Sequence, residues 1–438
     1  MGRVMQIQRD AGLVRALGPM GLAASTISMM IGAGIFAAPS VLAAAVGPYA
    51  PLAFVASSLG IGAVGICCAA GGSRLPTSGG MYGYIEAALG PLTGYVTGTL
   101  LWVGDLLACA AVAAALAGVA ASLVPNALTV TVRAIVIVGV VGGIALVNIG
   151  GVARGARLVT AATALKLIPL VVFFVVAGAA AVRVANFSPQ LGWQPQGVGR
   201  AVILATFALT GMETSLCNSG EVARPTRTIP LALAIAVGSV TVLYVSIQLI
   251  VQGILGSALA QSAAPLADAM GRVSPGLRLL MLAVTAFAML GMIAGDILGT
   301  PRVLFAFPRD GLLPRVLGRV HPAARTPHIA ILCYASLAVI LALTGSFAEL
   351  AVLATLASAG LYIAACVAAW LLAHKGIALA GAPLDFRGLG LAMGLGVGTM
   401  LLLIALASPT EIIGLFALIA GSAAVYLLQS QFVARSVT

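Results

Sequence analysis

The chain has 438 residues, of which 61% are hydrophobic and 8% are charged, and its mean hydropathy is +1.15. A soluble domain of average composition carries about 25% charged residues. The composition therefore excludes a soluble globular protein and predicts an all-α protein that crosses a membrane several times.

Twelve apolar segments follow one another along the chain. A helix rises about 1.5 Å per residue, so a hydrocarbon core of about 30 Å needs about 20 apolar residues. Residues 1–18 lack the short apolar stretch and cleavage site of a secretory signal, so we expect the first apolar segment to be retained as a spanning helix. The alternating pattern of a membrane barrel is absent, and lipid tolerates no open strand edges, so helices are predicted. The segments, numbered 1 to 12, are 19–46, 51–72, 92–122, 129–150, 158–183, 199–218, 229–256, 277–301, 328–345, 348–373, 389–407 and 410–430.

The basic residues are distributed unevenly between the two sets of loops. With the N-terminus inside, sixteen of the 22 Lys and Arg residues lie in cytoplasmic segments, five lie in outer loops, and Lys166 lies within segment 5. This bias predicts that both termini are cytoplasmic and that the protein lies in the cell's inner (cytoplasmic) membrane. It also accounts for the net charge of +11, so no nucleic-acid partner is expected.

The cysteines and histidines give no sign of a metal or cofactor site. All six cysteines lie in apolar segments, where a small thiol packs well, and the three histidines lie in predicted cytoplasmic loops. No P-loop of the form GxxxxGK[ST] occurs, so we expect no metal, no cofactor and no ATP-driven pumping by this chain.

Segment 1 contains the stretch "MMIGAGIFAAPS" at residues 29–40, which interrupts an apolar helix with Gly32, Gly34 and Pro39. Glycine costs a helix interior about 1 kcal/mol relative to alanine, and proline costs about 3 kcal/mol. One interpretation is a kinked helix with glycine packing. The other is an unwound stretch, which frees backbone N–H and C=O groups to bind a polar small molecule at the bilayer midplane.

Segment 6 carries a second interruption, in "ILATFALTGMETSLCNSG". Gly211 lies in mid-span and Glu213 follows two residues later. An acid at that depth costs several kcal/mol unless it is paired or faces a cavity. Segments 1 and 6 occupy corresponding positions in two five-helix halves of opposite orientation, and paired interruptions of this kind indicate a transporter site.

Five stretches resemble the signatures of the amino acid–polyamine–organocation (APC) transporter family. They are "IGAGIFAAPS" (31–40), "LPTSGGMYGYIEAALGPLTGY" (75–95), "FALTGMETS" (207–215), "GEVARPTRTIP" (220–230) and "GTPRVLFAFPRDGLLP" (299–314). The resemblance covers nearly the whole chain in the expected order. It implies a five-plus-five inverted-repeat fold of the leucine-transporter type, with helices 1 and 6 unwound and helices 11 and 12 appended.

The resemblance also assigns the head group of a substrate. It implies that a carboxylate binds the backbone around Ala33 and Gly34. It implies that an amine meets backbone carbonyls in the neighbourhood of Ile31, Phe207, Ala208 and Thr210. Phe207 matches an aromatic gate over the substrate, although a lipid-facing or core Phe is the alternative.

Two ionisable residues match positions linked to coupling. Glu213 resembles a proton-sensing acid of some members, and the alternative is a structural acid that hydrogen-bonds the unwound backbone. Lys166 lies about 13 Å deep, nine residues from Arg157. The resemblance implies that its ammonium replaces the sodium ion of related transporters. A lysine that merely pairs with a nearby carboxylate is the alternative.

Two further acids lie inside segments: Asp105 in segment 3 and Asp296 in segment 8. Aligned on the flanking motifs, both match positions that line the side-chain pocket in relatives. Buried Asp is rare in membranes and usually functional. The acids either recognise a distal positive charge on the substrate, or one pairs with Lys166 while the other binds water or a hydroxyl.

These observations predict the organisation and function of the chain. The expected parts are a cytoplasmic N-terminal segment (1–18), the first repeat (19–183), the second repeat (199–373), helices 11 and 12 (389–430) and a cytoplasmic tail (431–438). The expected function is sodium-independent transport of amino acids or amines across the cytoplasmic membrane by alternating access, either proton-coupled or by exchange, with a preference for cationic substrates. Neutral amino acids, or a sensor without transport, are the alternatives. No nucleophile–base pair indicates an enzyme, and either a monomer or a homodimer is compatible with the sequence.

Overall fold

The computed structural model describes residues 18–32, 34–75, 80–123, 129–151, 170–178, 184–187, 197–216, 222–304, 314–324, 326–378 and 382–437. The regular elements within these ranges are α-helices and short 3₁₀ turns. Lys166 and Ala33 lie outside the described residues, as does most of predicted segment 5.

Apart from the short helical stretch at 301–304, sixteen helical stretches follow one another along the described parts of the chain. In chain order, α1 to α16 are Pro19–Met30, Gly34–Val46, Ala50–Arg74, Gly80–Leu89, Pro91–Ala121, Thr129–Ile149, 170–178, Gly197–Leu209, Met212–Leu216, Pro225–Leu255, Pro265–Gly271, Pro275–Gly299, His328–Thr344, Phe347–His374, Leu389–Ala405 and Pro409–Val437. The 3₁₀ turns are Gly47–Tyr49, Val184–Phe187, Gly256–Gln261 and Arg315–Gly318.

Local sequence signals set the starts of many helices. Proline is the first residue of α1, α5, α10, α11, α12 and α16, where its missing N–H would have no intrahelical partner and its fixed φ suits the first turn. At the start of α14, the Ser346 hydroxyl accepts from the Glu349 N–H, and the Glu349 carboxylate accepts from the Ser346 N–H. This reciprocal capping box satisfies two of the free N–H groups.

The described residues contain seven stretches that are long and apolar enough to cross a membrane. Several predicted segments fail that length criterion for physical reasons: segments 1 and 6 are interrupted, and α13 and α15 are each 17 residues long. The structure therefore supports a polytopic helical membrane protein. The last helix, α16, extends to Val437 and so includes residues 431–437.

Contacts between helix termini define two ends of the molecule. At the first end, Gly197 lies against Ala45, Gly199 lies against Leu406, and the turn at 47–49 meets the turns at 184–187 and 256–261. At the second end, the Thr326 hydroxyl donates to the Ile149 carbonyl (2.8 Å) and Arg74 pairs with Asp385 (2.9 Å). The two groups match the two sets of loops that the sequence predicts on opposite sides of the membrane.

The interrupted helices lie inside the bundle. The α1 helix packs against α9 and α10, and α2 packs against α8. The long helices α3 and α14 contact α8 and each other. Helix α5 lies along α14 and also meets α12. This arrangement surrounds both interruptions with protein, which is the only setting in which a membrane tolerates irregular backbone.

Candidate functional site

The two helix interruptions touch one another. Helix α1 ends at Met30 and α2 begins at Gly34, while α8 ends at Leu209 and α9 begins at Met212. A Cβ on Gly211 would lie 2.9 Å from the Met29 carbonyl oxygen. A Cβ on Gly34 would lie 2.8 Å from Cα of Ala208. Only residues without side chains allow such a backbone approach, so these glycines join the two breaks.

The break between α1 and α2 exposes backbone groups that no helix satisfies. The Met30 carbonyl accepts from the Gly32 N–H at 2.8 Å and from the Tyr244 hydroxyl at 2.9 Å. Tyr244 belongs to α10, is fully buried, and packs edge-on against Phe54. Its hydrogen bond holds the end of α1 in a fixed position. Ile31 is also buried.

The break between α8 and α9 is organised by Glu213. One oxygen of its carboxylate, Oε2, accepts from the Gly211 N–H at 3.0 Å and from the Tyr362 hydroxyl at 2.6 Å. Gly211 has φ +117°, a conformation that favours glycine. Glu213 therefore hydrogen-bonds the unwound backbone, which is one of the two roles that its sequence allows. That geometry leaves a role in proton coupling open.

Further polar contacts surround the breaks. The hydroxyls of Thr26 in α1 and Ser215 in α9 lie 2.8 Å apart, which ties the two helices on one side of the breaks. The Thr210 hydroxyl donates to the Phe207 carbonyl at 2.7 Å, so one carbonyl at the end of α8 is already engaged. Sδ of Met292 in α12 would lie 2.8 Å from a Cβ on Gly32, so α12 closes the site from another side.

Phe207 is buried in the last turn of α8. It packs edge-on against Phe347 of α14, with ring centroids 5.8 Å apart. The lipid-facing alternative is therefore wrong for this state, because the ring lies inside the protein beside the breaks. A gate and a core residue both remain compatible with that position.

Asp105 and Asp296 face the same interior region from α5 and α12. Oδ2 of Asp105 accepts from the Thr300 hydroxyl at 3.0 Å. Oδ2 of Asp296 is buried and has no hydrogen-bond partner among the described residues. Three carboxylates in this region lie close enough to repel one another when charged: those of Asp105, Asp296 and Glu213. The alternative, in which one of these aspartates pairs with Lys166, stays a prediction because Lys166 lies outside the described ranges.

Sequence reasoning missed the partners that hold the breaks. Tyr244 and Tyr362 come from helices far from the glycines in the chain. Thr26 and Ser215 each lie beside one break, but they are 189 residues apart. A weak signal existed, since a buried tyrosine in an apolar helix usually has a hydrogen-bond partner for its hydroxyl. Within the described residues, no group of three or more His, Cys, Asp or Glu is arranged to hold a metal ion.

The two touching breaks define a polytopic helical membrane protein with irregular backbone inside its bundle. Sequence comparison identifies its family. The family model described as amino acid permease matches residues 17–421. The chain therefore belongs to the amino acid permease family, whose members are transporters rather than enzymes. This result confirms the resemblance carried by the motifs.

Individual relatives carry transporter names. An uncharacterized transporter of Mycobacterium tuberculosis (strain ATCC 25618 / H37Rv) is 34% identical over 343 residues, which are 76% of this chain and 74% of the relative. The methylthioribose transporter of Bacillus subtilis (strain 168) is 27% identical over 344 residues, 73% of this chain and 72% of the relative. The branched-chain amino acid permease BcaP of the same organism is 27% identical over 393 residues, 84% of this chain and 82% of the relative.

Proposed function

We propose that the protein is a secondary active transporter of amino acids or related small amines, and that it works by alternating access in the cytoplasmic membrane. The observation that carries this proposal is the contact between the two helix breaks. Its test is uptake of radiolabelled L-amino acids and amines into liposomes that contain only this protein. Accumulation of none of them would contradict the proposal.

The breaks supply the chemistry that a zwitterionic head group needs. The start of α2 presents free N–H groups and the positive end of a helix dipole, which suit a carboxylate near Ala33 and Gly34. The end of α1 and the end of α8 present carbonyls near Ile31, Ala208 and Thr210, which suit an ammonium group. Hydrogen bonds to the Glu213 carboxylate from the Gly211 N–H and the Tyr362 hydroxyl fix the conformation of this backbone.

Alternating access follows from an inverted pair of repeats, 19–183 and 199–373, each of which opens with a broken helix. At the first end of the molecule, which we assign to the outside, Nη1 of Arg200 in α8 lies 2.6 Å from Oε1 of Glu411 in α16. We propose that this ion pair is part of the closed outer gate. In the proposed cycle, α2 and α8 move together because Gly34 and Gly197 join them, and the Arg200–Glu411 pair breaks when that end opens.

We further propose that transport does not require sodium. Lys166 would supply the buried positive charge beside α1 that a sodium ion supplies elsewhere. Replacing sodium by choline in the uptake assay should then leave the rate unchanged, whereas Lys166→Ala should abolish or reshape transport in a folded protein. Strict sodium dependence of the unmodified protein would contradict this part of the proposal.

The side-chain preference is proposed to be cationic, as in arginine, lysine, ornithine or a polyamine. The supporting observation is the buried Oδ2 of Asp296, which has no partner among the described residues. An unpaired carboxylate is costly at that depth, and a distal cation on the substrate would offset the cost. Competition by arginine, lysine and putrescine in the uptake assay tests this preference.

A neutral substrate is the second candidate. Asp105 already accepts a hydrogen bond from Thr300, and two relatives are named for methylthioribose and branched-chain amino acids. A sensor or partner protein without transport is the third, and the retention of both breaks argues against it. Both termini are proposed to be cytoplasmic, and either a monomer or a homodimer suits this function.

A further inference from the structure

A polar stripe runs along the buried face of α10. Tyr244, Gln248 and Gln252 are spaced four residues apart, so they lie one above another on one face of the helix. Their exposed fractions are 0%, 0% and 2%. The remainder of the buried face of α10 is largely apolar, so three long polar side chains in one line require partners.

Two of these side chains have hydrogen-bond partners, and the third has none in the part of the chain that the structure describes. The Tyr244 hydroxyl donates to the Met30 carbonyl, and Nε2 of Gln252 donates to the Asn186 carbonyl at 3.2 Å. Neither Nε2 nor Oε1 of Gln248 has a hydrogen-bond partner among the described residues. A fully buried primary amide that makes no hydrogen bond destabilises the protein that contains it.

The position of Gln248 is fixed by its two neighbours on the stripe. The Tyr244 hydroxyl reaches the carbonyl of Met30, the last residue of α1. Gln252 lies near the first end of the molecule, where the turn at 256–261 meets the turn at 47–49 that follows α2. Because α10 and the broken helix run in the same direction, four residues beyond Tyr244 correspond to about 6 Å. That distance brings Gln248 level with the start of α2 at Gly34.

We propose that the Gln248 amide hydrogen-bonds the head group of the bound substrate, directly or through one ordered water. A primary amide offers a donor and an acceptor side by side, which suits the adjacent carboxylate and ammonium groups of an α-amino acid. Gln248 is thus a specificity-determining residue, and its missing hydrogen bonds are completed only when the site is occupied. This inference rests on the proposed function and adds a helix, α10, to the site.

The inference predicts opposite effects on stability and on binding. Gln248→Met keeps the length of the side chain and removes an amide that has no hydrogen-bond partner among the described residues. The variant should unfold at the same temperature as the unmodified protein or at a higher one, because none of the hydrogen bonds that the described residues make is lost. Its affinity for an amino acid should fall about tenfold, the equivalent of ~1.4 kcal/mol.

The matched control is Gln252→Met, the same substitution one turn further along the same face. Gln252 already donates to Asn186, so this variant should unfold at a lower temperature while its affinity changes less than about threefold. The two variants therefore separate loss of a ligand contact from loss of a structural contact.

The experiment measures binding of L-lysine, cadaverine, L-leucine and 3-methylbutan-1-amine to the purified protein, together with thermal unfolding. Each amine lacks the carboxylate of its partner acid. Gln248→Met should weaken the binding of the two amino acids, while the affinity for each of the two amines should change less than about threefold. Gln248→Glu, which replaces the donor by a negative charge, should discriminate more strongly against the amino acids.

Each outcome decides the inference. Unchanged amino-acid binding in Gln248→Met and Gln248→Glu, or a lowered unfolding temperature with equal loss for acids and amines, would overturn it and leave the proposed function intact. If the unmodified protein binds none of the four ligands, the proposed function is wrong for amino acids and amines, and the inference about Gln248 is wrong as well.

Discussion

The hydroxyl of Tyr362 donates a hydrogen bond to Oε2 of Glu213 across 2.6 Å, although the two residues are 149 positions apart in the chain. The same oxygen accepts from the Gly211 N–H at the break between α8 and α9. Helix α14 of the surrounding bundle therefore stabilises the break between α8 and α9 through a single carboxylate oxygen.

Removing that hydroxyl should destabilise the protein. Tyr362→Phe leaves the Glu213 carboxylate with one fewer donor in a buried site, so we expect the free energy of unfolding to fall by about 1–3 kcal/mol. Thermal unfolding in detergent measures the change. The matched control is Tyr334→Phe, since the buried Tyr334 hydroxyl donates to no carboxylate within the described ranges. Equal destabilisation of both variants would show that the Tyr362–Glu213 bond contributes nothing specific.

A side chain at Gly211 should separate the two breaks. Gly211→Ala strains a residue with φ +117° and brings a methyl group within 2.9 Å of the Met29 carbonyl oxygen. We expect uptake to be lost and stability to fall by about 1–3 kcal/mol. Gly238→Ala in α10 is the control, because a Cβ there meets nothing within 4 Å and alanine favours a helix. Normal uptake by Gly211→Ala would contradict the role of this contact.

The ion pair at the first end should resist opening. Glu411 also caps its own helix, since Oε2 accepts from the Ser408 N–H at 2.9 Å, and Oε1 faces Arg200. Glu411→Gln removes the charge and should weaken closure by about 0.5–1 kcal/mol. In a background without native cysteines, a Cys at position 207 should then react about two to five times faster with a water-soluble thiol reagent from outside.

The control for this labelling experiment is Asp268→Asn. Asp268 pairs with Arg278 at the same end of the molecule, with N and O atoms 3.0 Å apart, but both residues belong to one helical hairpin. Loss of that pair should leave the labelling rate unchanged. Acceleration by both substitutions alike would indicate a general charge effect at the surface.

The two interior acids should differ in their effect on cationic substrates. Asp296→Asn removes the carboxylate whose Oδ2 has no partner among the described residues. It should weaken the binding of lysine or arginine about tenfold or more, while the affinity for leucine changes less than about threefold. Asp105→Asn should also weaken the cationic substrates preferentially, but it removes the acceptor of Thr300 as well. Competition in the uptake assay measures both ratios. If each substitution weakens competition by lysine and by leucine equally, both acids have structural roles and do not recognise the substrate.

The sequence predicts the interruptions because glycine and proline are costly inside helices at any place in a fold. Gly32, Gly34 and Gly211 could therefore be identified without coordinates. The partners of the breaks could not be predicted. Thr26 and Ser215 are 189 residues apart and Tyr244 is 214 residues from Met30, so nothing local in the sequence connects them.

The number of membrane crossings shows a related limit. Hydropathy predicts twelve segments, because it averages over an interruption and treats a broken helix as a single span. The described structure divides segments 1 and 6 into shorter helices, and a length criterion then no longer recognises them. For these two segments both results have one physical cause, since the residues that shorten the helices are those that form the candidate site.

Hydrogen–deuterium exchange of the purified protein, with and without a transported amino acid, tests the central claim most directly. If the touching breaks are the substrate site, the amides of residues 31–34 and 210–213 should both exchange more slowly when the substrate is present, while the amides of the α15–α16 pair stay unchanged. Protection confined to other helices, or protection of one break without the other, would contradict the claim that the two breaks form one site.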